Sequence, residues 1–186
     1  PDLIFQLLAG AALGSAFIPT FASYLTKGDT GDAWRLASSL LNLIALATLS
    51  LAMLVMILAP WLVPLVVPGF DALRQATVVQ LTRIMLLAPV FFCVSGLAMG
   101  ILNARHHFLL PALAPWFYNL SIIFGAIGLS RFWGVAGLSW GVVLGAVLHL
   151  LIQLPGLAKV GVCYQWSLAV NHPGVKEVGR LMLPRV

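Results

Sequence analysis

Five stretches of this chain contain no Asp, Glu, Lys or Arg: residues 3–26, 36–70, 84–104, 106–130 and 132–158. A bilayer core about 30 Å thick is crossed by about 20 apolar residues rising about 1.5 Å each. Every one of the five runs reaches that length. A soluble domain carries about 25% charged residues, whereas this chain has 8%, with 61% hydrophobic. Soluble enzyme, disordered tail and secreted disulfide scaffold are therefore poor readings. Strands of a membrane barrel would alternate in polarity over about ten residues. These runs are continuously apolar, so their backbone groups must be paired within helices. The fold expected is an all-α integral membrane protein, a polytopic bundle of five transmembrane helices.

Numbered in order, the spans fall at about 3–26, 36–59, 84–104, 109–130 and 133–158. The second run has 35 residues, about 52 Å as a single helix, too long for one straight span. Pro60, Pro64 and Pro68 lie in its second half. Each removes a backbone donor and crowds the preceding turn, so the helix is expected to stop at Ala59 and a broken segment to follow. The short links make neighbouring spans antiparallel. Residues 1–160 thus form a transmembrane bundle. Residues 161–186 form a loop and an amphipathic helix at the membrane surface, with Val175, Val178 and Met182 on one face and Lys176, Glu177 and Arg180 off it. That helix leads towards a further span.

The formal net charge of +5 is scattered, with no Lys/Arg-rich run, so no nucleic-acid partner is implied. The basic residues set the orientation instead. Lys27, Arg35, Arg105, Lys159, Lys176, Arg180 and Arg185 fall on one side; Arg74 and Arg131 fall on the other. The first side is cytoplasmic, and the chain then starts outside. With Pro1 in first place and an interrupted apolar end, it reads as an internal fragment of a longer protein.

Small residues recur at every fourth position: Gly10 and Gly14, Gly96 and Gly100, and Gly137, Gly141 and Gly145. Such stripes let helices approach closely in lipid, either as static packing or as surfaces that slide. Polar residues in lipid are costly and turn to the bundle interior or a watery cavity. Gln6, Ser15, Asn42, Arg83, Asn119 and Gln153 are accordingly the candidates for lining a substrate cavity. Arg83 could instead snorkel to the headgroups, and Asn119 and Gln153 could be interhelical hydrogen bonds. His149 reads as a satisfied packing residue. Tyr24, Trp34, Trp61 and Trp133 lie near span ends, as interfacial anchors do.

Chemistry-bearing motifs are missing from the sequence. Cys93 and Cys163 form no metal spacing, and His106 and His107 are adjacent loop residues rather than an i, i+4 pair. Asp2, Asp29, Asp32, Asp71 and Glu177 all lie outside the spans. No metal, cofactor or covalent catalysis is expected.

Specific strings then matter. Residues 9–19, AGAALGSAFIP, are similar to the second transmembrane helix of the MurJ/MviN family, which contains the lipid II flippases of bacterial peptidoglycan synthesis. Pro68-Gly69-Phe70, residues 100–108 (GILNARHHF), Pro111 to Pro115, Asn119 and Gln153-Leu154-Pro155 resemble that family in the same order. The resemblance implies helices two to six of the N-terminal lobe of a two-lobed exporter fold. The first helix and the second lobe would then be missing partners of the same chain. It further implies a transporter rather than an enzyme, in the bacterial inner membrane among membrane lipids. Its substrate would be the undecaprenyl-pyrophosphate-linked precursor, lipid II, moved by alternating access. Family members carry arginines where this chain has Phe5 and Gln6, and an acid where it has Gly10, so cavity charge must come from elsewhere. The rival readings are another polysaccharide-lipid flippase or drug exporter of the same superfamily, and a membrane scaffold that transports nothing.

Overall fold

The computed structural model describes residues 16–182, of which the side chain of Met182 is left aside. The helices run α1 (Ile18–Thr26), α2 (Thr30–Val66), α3 (Ala72–Met85), α4 (Ala88–Ala104) and α5 (Leu109–Phe124). A π-helical segment, Gly125–Leu129, follows, then α6 (Ser130–Trp133), α7 (Val135–Leu151), α8 (Leu154–Lys159) and α9 (Pro173–Met182). Four units are long and apolar enough to cross a bilayer: Thr30–Val66, Ala72–Ala104, Leu109–Trp133 and Val135–Lys159. The described part of the first span is residues 16–26, which end in α1. Its earlier residues, with Gln6, Gly10, Gly14 and Ser15, lie outside the described residues.

Prolines fix where these units bend. Pro89 stands in the first turn of α4 and Pro155 in the first turn of α8. A proline there lacks an N–H that the first turn would leave unpaired anyway. The helix before it cannot continue, which gives the turns at Leu86-Leu87 and Ile152-Gln153. Between α6 and α7, Gly134 takes φ +56°, a backbone region that glycine enters without steric cost.

The break expected after Ala59 is absent. α2 is one helix of 37 residues with Pro60 and Pro64 inside it, about 55 Å long. Its last turns stand beyond what a bilayer core needs, with α3 packed beside them.

The bundle is held by α7, which packs against α5, α4 and α3. α4 also packs on α2, and α1 lies against α2 and α4. One apolar cluster fills the corner of α1, α2, α4 and α9, with Phe17, Phe21, Leu36, Leu97, Ile101 and Val178 at its centre. Trp34 is buried there rather than anchored at the headgroups. Its ring meets Phe21 edge-on at 5.5 Å, and the Arg105 guanidinium stands 5.9 Å from it. The apolar face of α9 is likewise covered by protein. Val175 and Val178 join this cluster, and Nδ1 of His172 accepts the Gly174 N–H at the start of α9.

Candidate functional site

The polar residues of the spans do not converge on one pocket. Asn42 lies on α2 under a strap formed by the segment after α8. Its Nδ2 donates to the carbonyl of Ser167 at 2.8 Å, and its Oδ1 accepts from the Tyr164 hydroxyl at 2.8 Å. Ser39 meets Ser167 hydroxyl to hydroxyl at 2.9 Å, and the Gln165 N–H donates to Ser38 Oγ at 3.0 Å. The strap lacks regular structure, so α2 completes its hydrogen bonding. One N–H and one lone pair of the Asn42 amide are thus used within the chain.

Asn119 lies on an exposed face of α5. Its Nδ2 donates back to the Pro115 carbonyl at 2.9 Å, and Trp116, Leu120 and Ile123 stand exposed beside it. Arg83, at the end of α3, donates from Nε to the carbonyl of Met56 at 3.1 Å. With Gln75, Gln80, Pro60 and Pro64 it lines an open groove of about 430 Å³ between α2 and α3. Gln75 Nε2 donates to the Phe70 carbonyl at 3.0 Å across the connecting turn.

Gln153 is fully buried at the turn before α8. Its Nε2 donates to Ser95 Oγ at 2.6 Å and to the His149 carbonyl at 2.9 Å. Ser95 Oγ also meets His149 Nδ1 at 2.6 Å. This cluster joins α4 to α7 and α8. His149 and Gln153 are four apart, so the sequence places them on one helical face. Ser95, from another span, carries no local signal that would single it out.

The third glycine stripe forms the tightest seam. A Cβ on Gly141 would lie 2.7 Å from the Cα of Gly125, and one on Gly137 would lie 2.4 Å from the backbone of Leu129 and Ser130. One on Gly145 would lie 2.6 Å from the Tyr118 ring. Contact this close is possible because the stripe carries no Cβ, and at Gly141 against Gly125 neither side does. The π-helical segment falls at this seam, and Ser130 Oγ donates back to the Ala126 carbonyl one turn earlier on the same stretch. Gly100 faces α1, with a Cβ 2.9 Å from the Phe17 ring, and Gly96 is half-buried on the same helix.

The two adjacent histidines belong to the α4–α5 turn. His106 takes φ +59° and the His107 N–H donates to the Leu102 carbonyl at 2.8 Å, the pairing of a left-handed helix C-terminus. Among the described residues, no group of three His, Cys, Asp or Glu side chains comes together. Asp29 caps α2 through its contact with the Asp32 N–H at 3.2 Å, and Asp71 pairs with Arg74 at 3.3 Å.

Fold and site together define a multi-pass helical membrane protein whose buried polar groups link spans to one another. The chain belongs to the MurJ family: the family model described as "Lipid II flippase MurJ" matches residues 1–186. A protein of Burkholderia cenocepacia named "Lipid II flippase MurJ" is 34% identical over 192 residues, covering 99% of this chain and 37% of that protein. A "Probable lipid II flippase MurJ" of Bdellovibrio bacteriovorus is 31% identical over 190 residues, covering 99% of this chain and 36% of its own length. The fold is similar to a solved structure titled "Lipid II flippase MurJ, inward closed conformation". The TM-score is 0.77 at 21% identity, over 98% of this chain and 38% of that one. The chain thus spans a little over a third of the length of the relatives it matches.

Proposed function

We propose that this chain is the greater part of the N-terminal lobe of a lipid II flippase. It forms one wall of a cavity through which the undecaprenyl-pyrophosphate-linked precursor passes from the inner to the outer leaflet of the bacterial inner membrane. The observation that carries the reading is the family match across residues 1–186, on a chain whose polar groups lie inside spans. The transport step changes no covalent bond. It proceeds by alternating access, in which two lobes rock about a central site, the second lobe and the first helix being supplied by parts of the protein outside this chain.

The glycine seam fits such a cycle. α5 and α7 meet backbone to backbone, so they move as one rigid pair while other contacts change. Asn119 and the exposed face of α5 are the lobe's free polar and apolar surface towards a partner lobe or lipid. Gln6 would contribute an amide, not a charge, to that cavity.

Growth of a bacterium depleted of its own lipid II flippase tests this reading. A full-length protein carrying this chain restores growth, and Gln6→Ala leaves most of that rescue intact, because a neutral amide gives no bidentate grip on phosphate. A well-inserted protein that fails to restore growth contradicts the proposal.

A further inference from the structure

We propose that Ser95, His149 and Gln153 form a proton-binding site inside the bundle, with Nδ1 of His149 as the atom that takes the proton. The three side chains are enclosed by protein: Ser95 and Gln153 are 0% exposed and His149 is 8% exposed. They tie α4 to the junction of α7 and α8.

The hydrogen bonds fix the roles of the atoms. The two N–H groups of Gln153 Nε2 go to Ser95 Oγ at 2.6 Å and to the His149 carbonyl at 2.9 Å. Reversing the amide would set an oxygen against that carbonyl, so the orientation follows from the network. Ser95 Oγ then has one accepting position used, one free, and one proton to give. Two acceptors lie within its reach: His149 Nδ1 at 2.6 Å and the His149 carbonyl at 3.2 Å.

Two proton arrangements therefore fit the same heavy-atom positions. In the first, His149 is neutral with its ring proton on Nε2, and the Ser95 hydroxyl donates to the bare Nδ1. In the second, Nδ1 has bound a proton from solution and donates it to Ser95 Oγ, while the hydroxyl rotates to the His149 carbonyl. One N–H bond forms at the Nδ1 lone pair, the serine keeps its proton, and the site gains one positive charge. That carbonyl accepts from both Gln153 and Ser95, as its two lone pairs allow.

Gln153 Oε1 is buried with no hydrogen-bond partner, while the N–H end of the amide faces Ser95 and His149. The surroundings supply no competing charge. Phe92 of α4 meets the His149 ring edge-on at 5.3 Å, and Tyr118 of α5 meets Phe92 at 5.0 Å. Cys93 on α4 faces away, into the cluster shared with α1 and α2. Lys159 ends α8, Arg105 stands at the C-terminus of α4 and Arg83 lies on α3. α2 carries Asp32 and Arg35 in its first two turns, and no carboxylate lies on α4, α5 or α7. Loading the proton replaces a neutral hydrogen bond between α4 and α7 with a charge-assisted one, so proton occupancy strengthens one interhelical contact of the lobe.

The test is a titration of the full-length protein in lipid nanodiscs, with histidine labelled at both ring nitrogens and read by NMR from pH 8 to pH 4.5. The signal absent in His149→Gln is expected to pass from singly to doubly protonated, with the Gln153 side-chain amide shifting at the same midpoint. Ser95→Ala is expected to move that midpoint to lower pH by about one unit, a tenfold weaker proton affinity. If His149→Gln does not insert, the signal is assigned in the unmodified protein through its contact with the Phe92 ring. An imidazole that stays singly protonated throughout overturns the proposal, as does a midpoint unchanged in Ser95→Ala. The readout needs no lipid II, so its outcome is separate from that of the flippase reading.

Discussion

Arg83 donates from Nε to the carbonyl oxygen of Met56 at 3.1 Å, and Met56 is the residue whose helical donor, at position 60, is a proline. The i→i−4 pair that Pro60 cannot make is made instead by a side chain from α3. α2 runs unbroken to Val66.

The two positions are therefore coupled. Arg83→Met should lower the melting temperature in detergent, by the equivalent of about 1 kcal/mol for a lost hydrogen bond at a partly exposed site. In a Pro60→Ala background the N–H of residue 60 satisfies Met56, and the same Arg83→Met change should cost less than half as much. Equal costs in the two backgrounds would show that Arg83 does nothing for that carbonyl.

The seam between α5 and α7 predicts a steep size dependence. Gly141→Ala places a methyl 2.7 Å from the Gly125 Cα, where no side chain can rotate away. A loss of about 1–3 kcal/mol is expected from such overpacking, and Gly141→Leu should prevent the bundle from assembling. Leu144→Ala, one turn away on an exposed position, should change the melting temperature far less. Thermal denaturation of the three variants checks this.

Asn42 holds the strap over α2 through Ser167 and Tyr164. Asn42→Leu removes both bonds and leaves the Ser167 carbonyl without that donor. Amide hydrogen exchange across residues 162–170 should speed up by about tenfold, the equivalent of about 1.4 kcal/mol of local opening, while exchange in α7 is unchanged. Unaltered exchange in the strap would assign its order to other contacts.

The orientation rests on the basic residues of the short loops. In cells expressing a Cys163→Ser form, with Cys93 buried, an impermeant thiol reagent should label Arg74→Cys and not Lys27→Cys. Labelling of Lys27→Cys in intact cells would invert the topology.

The spans were legible because charge is excluded from each of them, and membrane solvent makes that exclusion strict. The fate of Pro60 was not. The local rule for proline is sound, but the missing donor is replaced by Arg83 from a different span, and no local pattern announces that contact. The apolar face of α9 could be read from Val175 and Val178, whereas its cover, the corner of α1 and α2 around Leu36, depends on how the chain returns. Trp34 followed the same logic: a tryptophan near a span end is ordinarily an anchor, and here Phe21 and Arg105 enclose it. Of the proposed cavity residues, the structure gives Asn42 to the strap, Arg83 to Met56 and Gln153 to Ser95 and His149. A polar residue in a span signals that a partner exists, and the sequence does not say whether the partner is a substrate or another helix.

A protein built around this lobe is proposed to move lipid II across the inner membrane. The direct measurement is the fraction of labelled lipid II that an impermeant cleaving enzyme can reach from outside, in spheroplasts whose own flippase has been depleted. With the full-length protein carrying this chain, the accessible fraction should return to that of undepleted cells, and the Gly141→Leu form should leave it at the depleted level. A properly inserted protein that leaves lipid II confined to the inner leaflet would contradict the account.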